Sequence, residues 1–534
     1  MNYTKRAALL CCTCYIVLIA LSFIPPQKVR GVELRRANVL SDIFSFSADK
    51  VASDVELIID TQEYEVDMES VAKQVEAVGV STPSVESNFA WSQADFTSEG
   101  DSLRPRAGNS PFVPLLKGVE ITPIESYDTT SLTPLSRFYR KLLAPDSLVR
   151  IAVLGDSFIE ADIITADLRE ALQNQYGGCG VGFAPMHSPL TQYRSTIKTT
   201  ASGWTSHNVM QHRKTPEPYS QLFPIAGWVS LPEAGATTTW QCTTARENID
   251  SCHCVRLFFV ALNDCAIEVT LNDSQTRTFN IKGGDKTLRQ IELRQPSISK
   301  VKMRVASGVS GFVGYGALFE GERGVVVDNY SVRSNNGQAM FWTSPAINAQ
   351  IDKRLGGYDM VILQYGLNIM QSGVNKYTAY ATQVEKMINY AQKCFPEAAI
   401  VVMGVSDRSY KINGIYQPMS EAKSLTEYQR GAAKARGVNF WESYAAMQAQ
   451  GGMSKFVANG WAGKDFTHIN LKGGRQIAWA LTDAINKGVE AERATIVYKV
   501  DYEPIIDSLA SRELEDRLED KRRLQLPVQQ LEQR

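Results

Sequence analysis

The residues of this chain best suited to covalent chemistry begin at Gly155-Asp156-Ser157. The tripeptide closes a nearly continuous apolar run, Leu148 to Gly155, and precedes a stretch in which Ile164, Leu168 and Leu172 recur every four residues. A strand buried on both faces, followed by an amphipathic helix, is predicted. The turn between them is where an open α/β sheet presents ligands. A serine there can act as a nucleophile, with helix-terminal N–H groups facing a developing oxyanion. Asp156 and Ser157 also suit plain helix capping, so the tripeptide alone decides nothing.

A nucleophilic serine needs a base, and the chain has five histidines, at 187, 207, 212, 253 and 468. Two of them, His253 and His468, follow an aspartate by three residues. Asp250 and His253 fall among cysteines against a predicted strand. Asp465 and His468 fall on a polar loop before the last predicted helix, so this pair is preferred. Its spacing lets the carboxylate hold the imidazole while the other ring nitrogen faces the serine. A third element is Gly366-Leu367-Asn368, just past the strand predicted over Met360 to Tyr365. An Asn amide can donate to an oxyanion, and glycine lets backbone approach closely.

Around these residues the pattern alternates strand and helix. Strands are expected at Met360–Tyr365, Ile400–Val405 and Val438–Trp441, with helices at Tyr377–Lys393, Leu425–Arg436 and Leu471–Asn486. This is an α/β unit with a mostly parallel sheet. Between about 195 and 324 the grammar changes to short alternating runs separated by turns such as Asn272-Asp273 and Gly283-Gly284-Asp285. That spacing predicts an antiparallel β sandwich inserted into the α/β unit. The expected organisation is an export or anchor segment at 1–26, a spacer at 27–135, α/β segments at 136–195 and 325–490 flanking the insert at 196–324, and a charged tail at 491–534.

The 534 residues carry a net charge of −1, 44% apolar residues and 21% charged ones. Disorder throughout is excluded, and no basic excess favours nucleic-acid binding. Lys5 and Arg6 precede an uncharged apolar run from Ala7 to Ile24. Such a segment directs the rest of the chain out of the cytoplasm, as a signal or as a membrane anchor. Six cysteines lie beyond it, and in an oxidising compartment the group from Cys242 to Cys265 would suit one or two disulfides. Cys252-His253-Cys254 is too tightly spaced for a zinc site. No metal or organic cofactor is indicated. Trp204, Trp228 and Trp240 in the insert are candidates for core packing or for sugar stacking.

The G-D-S opening, the later G-x-N and the terminal D-x-x-H resemble the blocks of the SGNH (GDSL-type) hydrolases. The resemblance covers about 135–195 and 325–490 and implies a three-layer α/β/α fold. It implies Ser157 as nucleophile, His468 as base and Asp465 as its orienting partner. The oxyanion hole would comprise the Ser157 and Ser334 N–H groups and Asn368, with Asp156 and Gly366 in support. One block departs: Arg333-Ser334-Asn335-Asn336-Gly337 has Ser334 where the family has glycine. The glycine-rich stretch Gly177–Pro185 and the inserted β domain, jelly-roll-like by the same resemblance, are closest to bacterial peptidoglycan O-acetylesterases. An exported serine esterase acting on an acetylated cell-envelope glycan is the leading expectation. An O-acetyltransferase with the same triad and a non-catalytic glycan-binding protein are the alternatives.

Overall fold

The computed structural model describes residues 66–78, 112–144, 146–412 and 415–497, with the short stretches 28–29, 32–33, 512, 515 and 517–518. The apolar segment at 7–24 lies outside them. Among the described residues no helix is long and apolar enough to cross a membrane. A small unit, residues 1–53 and 409–417, holds Lys28–Val29 paired with Val32–Glu33, and the Ser409–Ile412 strand of a two-stranded sheet. The remainder forms the unit described below.

Its centre is a six-stranded sheet in the order Gly324–Ser331, Leu148–Gly155, Met360–Gln364, Ala399–Met403, Asn439–Trp441 and Ile124–Ser126. The first five strands are parallel and the last is antiparallel. Beyond Leu148, every residue of Leu148–Gly155 is buried, as its nearly continuous apolar sequence predicts. Helices Pro134–Leu143, Thr165–Tyr176 and Leu471–Val497 pack together, as do Pro345–Leu355, Thr378–Cys394 and Ser420–Ala435. The three-layer α/β/α expectation therefore holds.

The edge strand Ile124–Ser126 comes from the stretch read as a spacer. The N–H groups of Leu115 and Leu116 also donate to Asp483, at 2.8 and 3.0 Å. That part of the chain is built into the α/β body. At the other end the last helix runs to Val497, eleven residues past the expected Asn486. Leu481, Ile485 and Val489 are buried and carry its apolar stripe onward, and Arg140 pairs with Glu492 at 2.6 Å.

The insert is one nine-stranded antiparallel sheet that curls around its own apolar core, with strands from Ile197–Asn208 to Phe312–Glu320. Gly182–Pro185, expected in the α/β part, pairs with Gly316–Phe319 and belongs to this sheet. Trp240 is fully buried in the core, and the Trp204 indole donates to the Thr237 carbonyl at 2.9 Å. The disulfides expected of the group from Cys242 to Cys265 are absent among the described residues: Cys242, Cys252, Cys254 and Cys265 are free thiols, as is Cys394. The Cys252 thiol is instead taken up by backbone carbonyls, those of Cys254 at 3.5 Å and Ile298 at 3.7 Å.

Two buried charge clusters tie insert to sheet. Glu320 of the insert receives Arg150 of the central strand at 2.5 Å and Arg256 at 2.8 Å. Asp162 receives Arg169 at 3.2 Å, Arg194 at 2.9 Å and the Thr196 hydroxyl at 2.5 Å. Burial alone would raise the Asp162 carboxyl, but the two guanidiniums and the hydroxyls hold it far below the usual range. Charges this deep persist only when paired.

Candidate active site

Strand register brings the predicted blocks together. Gly155 lies level with Ser331 on one side and with Gln364 on the other. The loops carrying Ser157, Ser334 and Asn368 therefore leave the same edge of the sheet from adjacent strands, at the carboxyl ends where such folds bind ligands. Gly155 is required by this closeness, because a Cβ there would sit 2.7 Å from Gln364 Oε1 and 2.8 Å from the Gln364 carbonyl.

The turn after Gly155 is held by Asp156, which is fully buried. Its Oδ1 accepts the Phe158 N–H at 2.9 Å and its Oδ2 accepts Asn368 Nδ2 at 3.0 Å. Burial pushes the Asp156 carboxyl up to about 7, against the lowering effect of the Phe158 N–H, His468 and Asn368. Ser157 is half-buried at the surface of this turn. Ala161 and Asp162 follow with φ of 51° and 64°, left-handed values that cost non-glycine residues energy.

Asn335 shapes the second block. Its Oδ1 accepts the N–H groups of Gly337 and Ala339 at 2.8 and 3.2 Å, and its carbonyl accepts Asn368 Nδ2 at 2.9 Å. Ser334 has φ of 58°, a left-handed conformation that glycine adopts most readily. Among the described residues, the backbone N–H groups of Ser157 and Ser334 have no hydrogen-bond partner. Gly366, at φ of 130°, starts the turn that presents Asn368.

The fourth block is a short loop closed by the Ala462–Ile469 bridge and the Gly463 N–H to His468 carbonyl bond of 2.8 Å. His468 Nδ1 lies 2.7 Å from Asp465 Oδ2, and Asp465 Oδ1 accepts the His468 and Thr467 N–H groups, each at 3.1 Å. Partial burial works to raise the Asp465 carboxyl, but these bonds outweigh it and hold it below the usual carboxylate range. Gly474, at the start of the following helix, seats this loop: a Cβ there would lie 1.7 Å from the Ile163 carbonyl oxygen, just downstream of the Ser157 turn.

The imidazole stands near enough to the turn to act electrostatically on buried Asp156. Among the described residues no hydrogen bond joins His468 to Ser157. Such contacts often tighten only when substrate binds. The His468 side chain is 59% exposed, and Asn368 and Ser334 are exposed as well, so the site is an open surface. All the predicted residues, Ser157, Asp465, His468, Ser334, Asn368, Asp156 and Gly366, thus fall around one sheet edge. Sequence reasoning missed the Asn335 carbonyl, and also Glu160, whose carboxylate holds Arg333. Nothing in the local pattern marks either, since both act across loops.

No family model and no curated protein matches the chain. Among solved structures it is similar to a peptidoglycan O-acetylesterase, at 22% identity and a TM-score of 0.56, over 69% of this chain and 99% of that one. A family two carbohydrate esterase from Cellvibrio japonicus aligns at 9% identity and a TM-score of 0.23, over 55% of this chain and 98% of that one. A putative GDSL-like lipase from Parabacteroides merdae aligns at 14% and 0.24, over 30% and 74%. The chain thus shares the fold of that peptidoglycan O-acetylesterase, an α/β body with a mostly parallel sheet interrupted by an antiparallel β domain.

Proposed function

We propose that the chain is an exported serine esterase that removes O-acetyl groups from a cell-envelope glycan. The observation that supports this reading is the level register of Gly155, Ser331 and Gln364, from which the loops of Ser157, Ser334 and Asn368 leave one edge of the sheet, together with the imidazole of His468 held by Asp465. Ser157 Oγ attacks the acetyl carbonyl as His468 Nε2 takes its proton, and Asp465 holds the imidazole and stabilises its charged form. The tetrahedral oxyanion is received by the Ser157 and Ser334 N–H groups and by Asn368. The sugar hydroxyl leaves with the proton from His468. Water, deprotonated by His468, then releases acetate from the acyl-enzyme.

The open site suits a polymer better than a small enclosed substrate. Peptidoglycan is the first glycan to test, because it is the substrate named for the structural neighbour. Export is supported by Lys5, Arg6 and the apolar run that follows. Acetate release from a small acetyl ester and from O-acetylated peptidoglycan tests the reading. Wild-type turnover that drops to background in Ser157→Ala is expected; full activity in that variant ends the mechanism.

A further inference from the structure

Arg333 stands one residue before Ser334 and has no part in the acyl chemistry. Its side chain is 62% exposed, yet the carboxylate that holds it, Glu160, is buried. Nε and Nη2 both donate to the same oxygen, Glu160 Oε2, the former at 2.8 Å. Among the described residues Nη1 has no partner, so the outward edge formed by Nη1 and the second Nη2 hydrogen is unused. A guanidinium in that state is a preset fork for a second carboxylate.

Stability does not account for this arrangement. Exposed ion pairs contribute little. Here the partner carboxylate is buried at a cost, with Glu160 Oε1 lacking any partner, on a turn whose next two residues have positive φ. Strain and unmet polarity concentrated beside a nucleophile point to recognition.

The surroundings agree. A shallow cleft beside Arg333 is lined by Glu160, Ser188, Thr191, Trp228, Asn329 and Ser331, at the junction of the α/β body and the insert. Tyr193, 68% exposed, lies close enough to Arg333 to interact with its charge, and offers an aromatic face to a sugar ring. On the loop that carries His468, Lys464 is exposed, and Arg408 Nε donates to Thr467 Oγ1 at 3.0 Å. Cations thus flank the site on both sides in a chain of net charge −1.

We infer that the acetylated glycan taken by this site carries a carboxylate near the acetyl group, bound by the outer edge of Arg333 while the adjoining sugar lies in the cleft toward Tyr193 and Trp228. This rests on the esterase reading above and narrows its substrate class to acidic glycans. The full chain would be assayed on partially acetylated polygalacturonate and on the same polymer after its carboxylates are reduced to alcohols.

The acidic polymer should show the higher kcat/KM, with a KM that rises with salt. Arg333→Gln should lower the acidic-to-reduced ratio at least about tenfold, through KM, and Arg333→Lys should restore part of it. Equal kcat/KM on the two polymers, or an equal loss on both in Arg333→Gln, overturns the inference and leaves the esterase reading intact. Binding of deacetylated polygalacturonate to Ser157→Ala, with and without Arg333→Gln, is the independent arm. Arg333-dependent binding without hydrolysis of any ester by the wild type upholds acidic-glycan recognition and removes the esterase reading. Binding that ignores Arg333 overturns the inference.

Discussion

Asn368 Nδ2 donates to the Asp156 carboxylate at 3.0 Å and to the Asn335 carbonyl at 2.9 Å, so both amide hydrogens are engaged in the resting site. An Asn amide has no third hydrogen. On the proposed mechanism Asn368 would reach an oxyanion by sharing or exchanging one of these bonds, whereas the Ser157 and Ser334 N–H groups are unpartnered among the described residues. Asp156 would then act through Asn368 as a positioning residue.

Asp156→Asn leaves one acceptor oxygen where two serve, so either the Asn368 amide or the Phe158 N–H faces an NH₂ group and the turn is disturbed. Asp156→Asn and Asn368→Ala should each lower kcat on a small acetyl ester by on the order of 10²–10³. The double variant should be little worse than the weaker single one, as expected of residues acting as a unit. Fully multiplicative losses would show that the two act independently.

On the proposed mechanism Ser334 would contribute its backbone N–H and not its hydroxyl. Ser334→Gly relieves the left-handed strain and should keep kcat within about twofold of wild type, with equal or greater stability. Ser334→Val, β-branched at positive φ, should lose about 1–2 kcal/mol in chemical denaturation. A large loss of turnover in Ser334→Gly would assign a role to the hydroxyl instead.

Much of this site was legible because its chemistry lies at strand ends. The run Leu148–Gly155 is apolar but for Arg150 because both its faces are covered, and Asp465-x-x-His468 is a local contact that spacing alone can encode. Ile124–Ser126 was not legible, because three residues carry no period and join the sheet only through Asn439–Trp441. Gly182–Pro185 is as short, and its partner lies more than a hundred residues away. Nothing in the local sequence singles out Asp162. Its role depends on Arg169 and Arg194 meeting it in space.

Asp162→Asn tests that role. Leaving two buried guanidiniums short of a carboxylate should cost about 3–5 kcal/mol of unfolding free energy. Asn accepts a positive φ, so the loss would come from charge and not from backbone strain. A change below about 1 kcal/mol would contradict this.

Asp352 gives the pH prediction. It is 6% exposed, and burial, with the Asp359 and Glu397 carboxylates adding to it, pushes it up to about 7 although the Tyr358 N–H works the other way. An unfolded Asp titrates near 4. Between about pH 4 and 7 the folded chain thus holds more protons than the unfolded one, and this group's contribution to stability falls as pH rises. Asp352→Asn does not titrate and keeps an acceptor for Tyr358. Its advantage over wild type should grow from pH 4 to 7 and then level off, by a few kcal/mol at most at roughly 1.4 per unit. Urea denaturation at pH 4.5 and 8 measures it; an advantage that does not change with pH contradicts the assignment.

Reaction of the full chain with a fluorophosphonate, followed by mass spectrometry of its peptides, tests the central claim most directly. A single phosphonylated residue, Ser157, is expected in the wild type, with labelling slowed by about 10² or more in His468→Ala. An unlabelled chain, or labelling at another serine while Ser157→Ala still hydrolyses acetyl esters, would contradict the account.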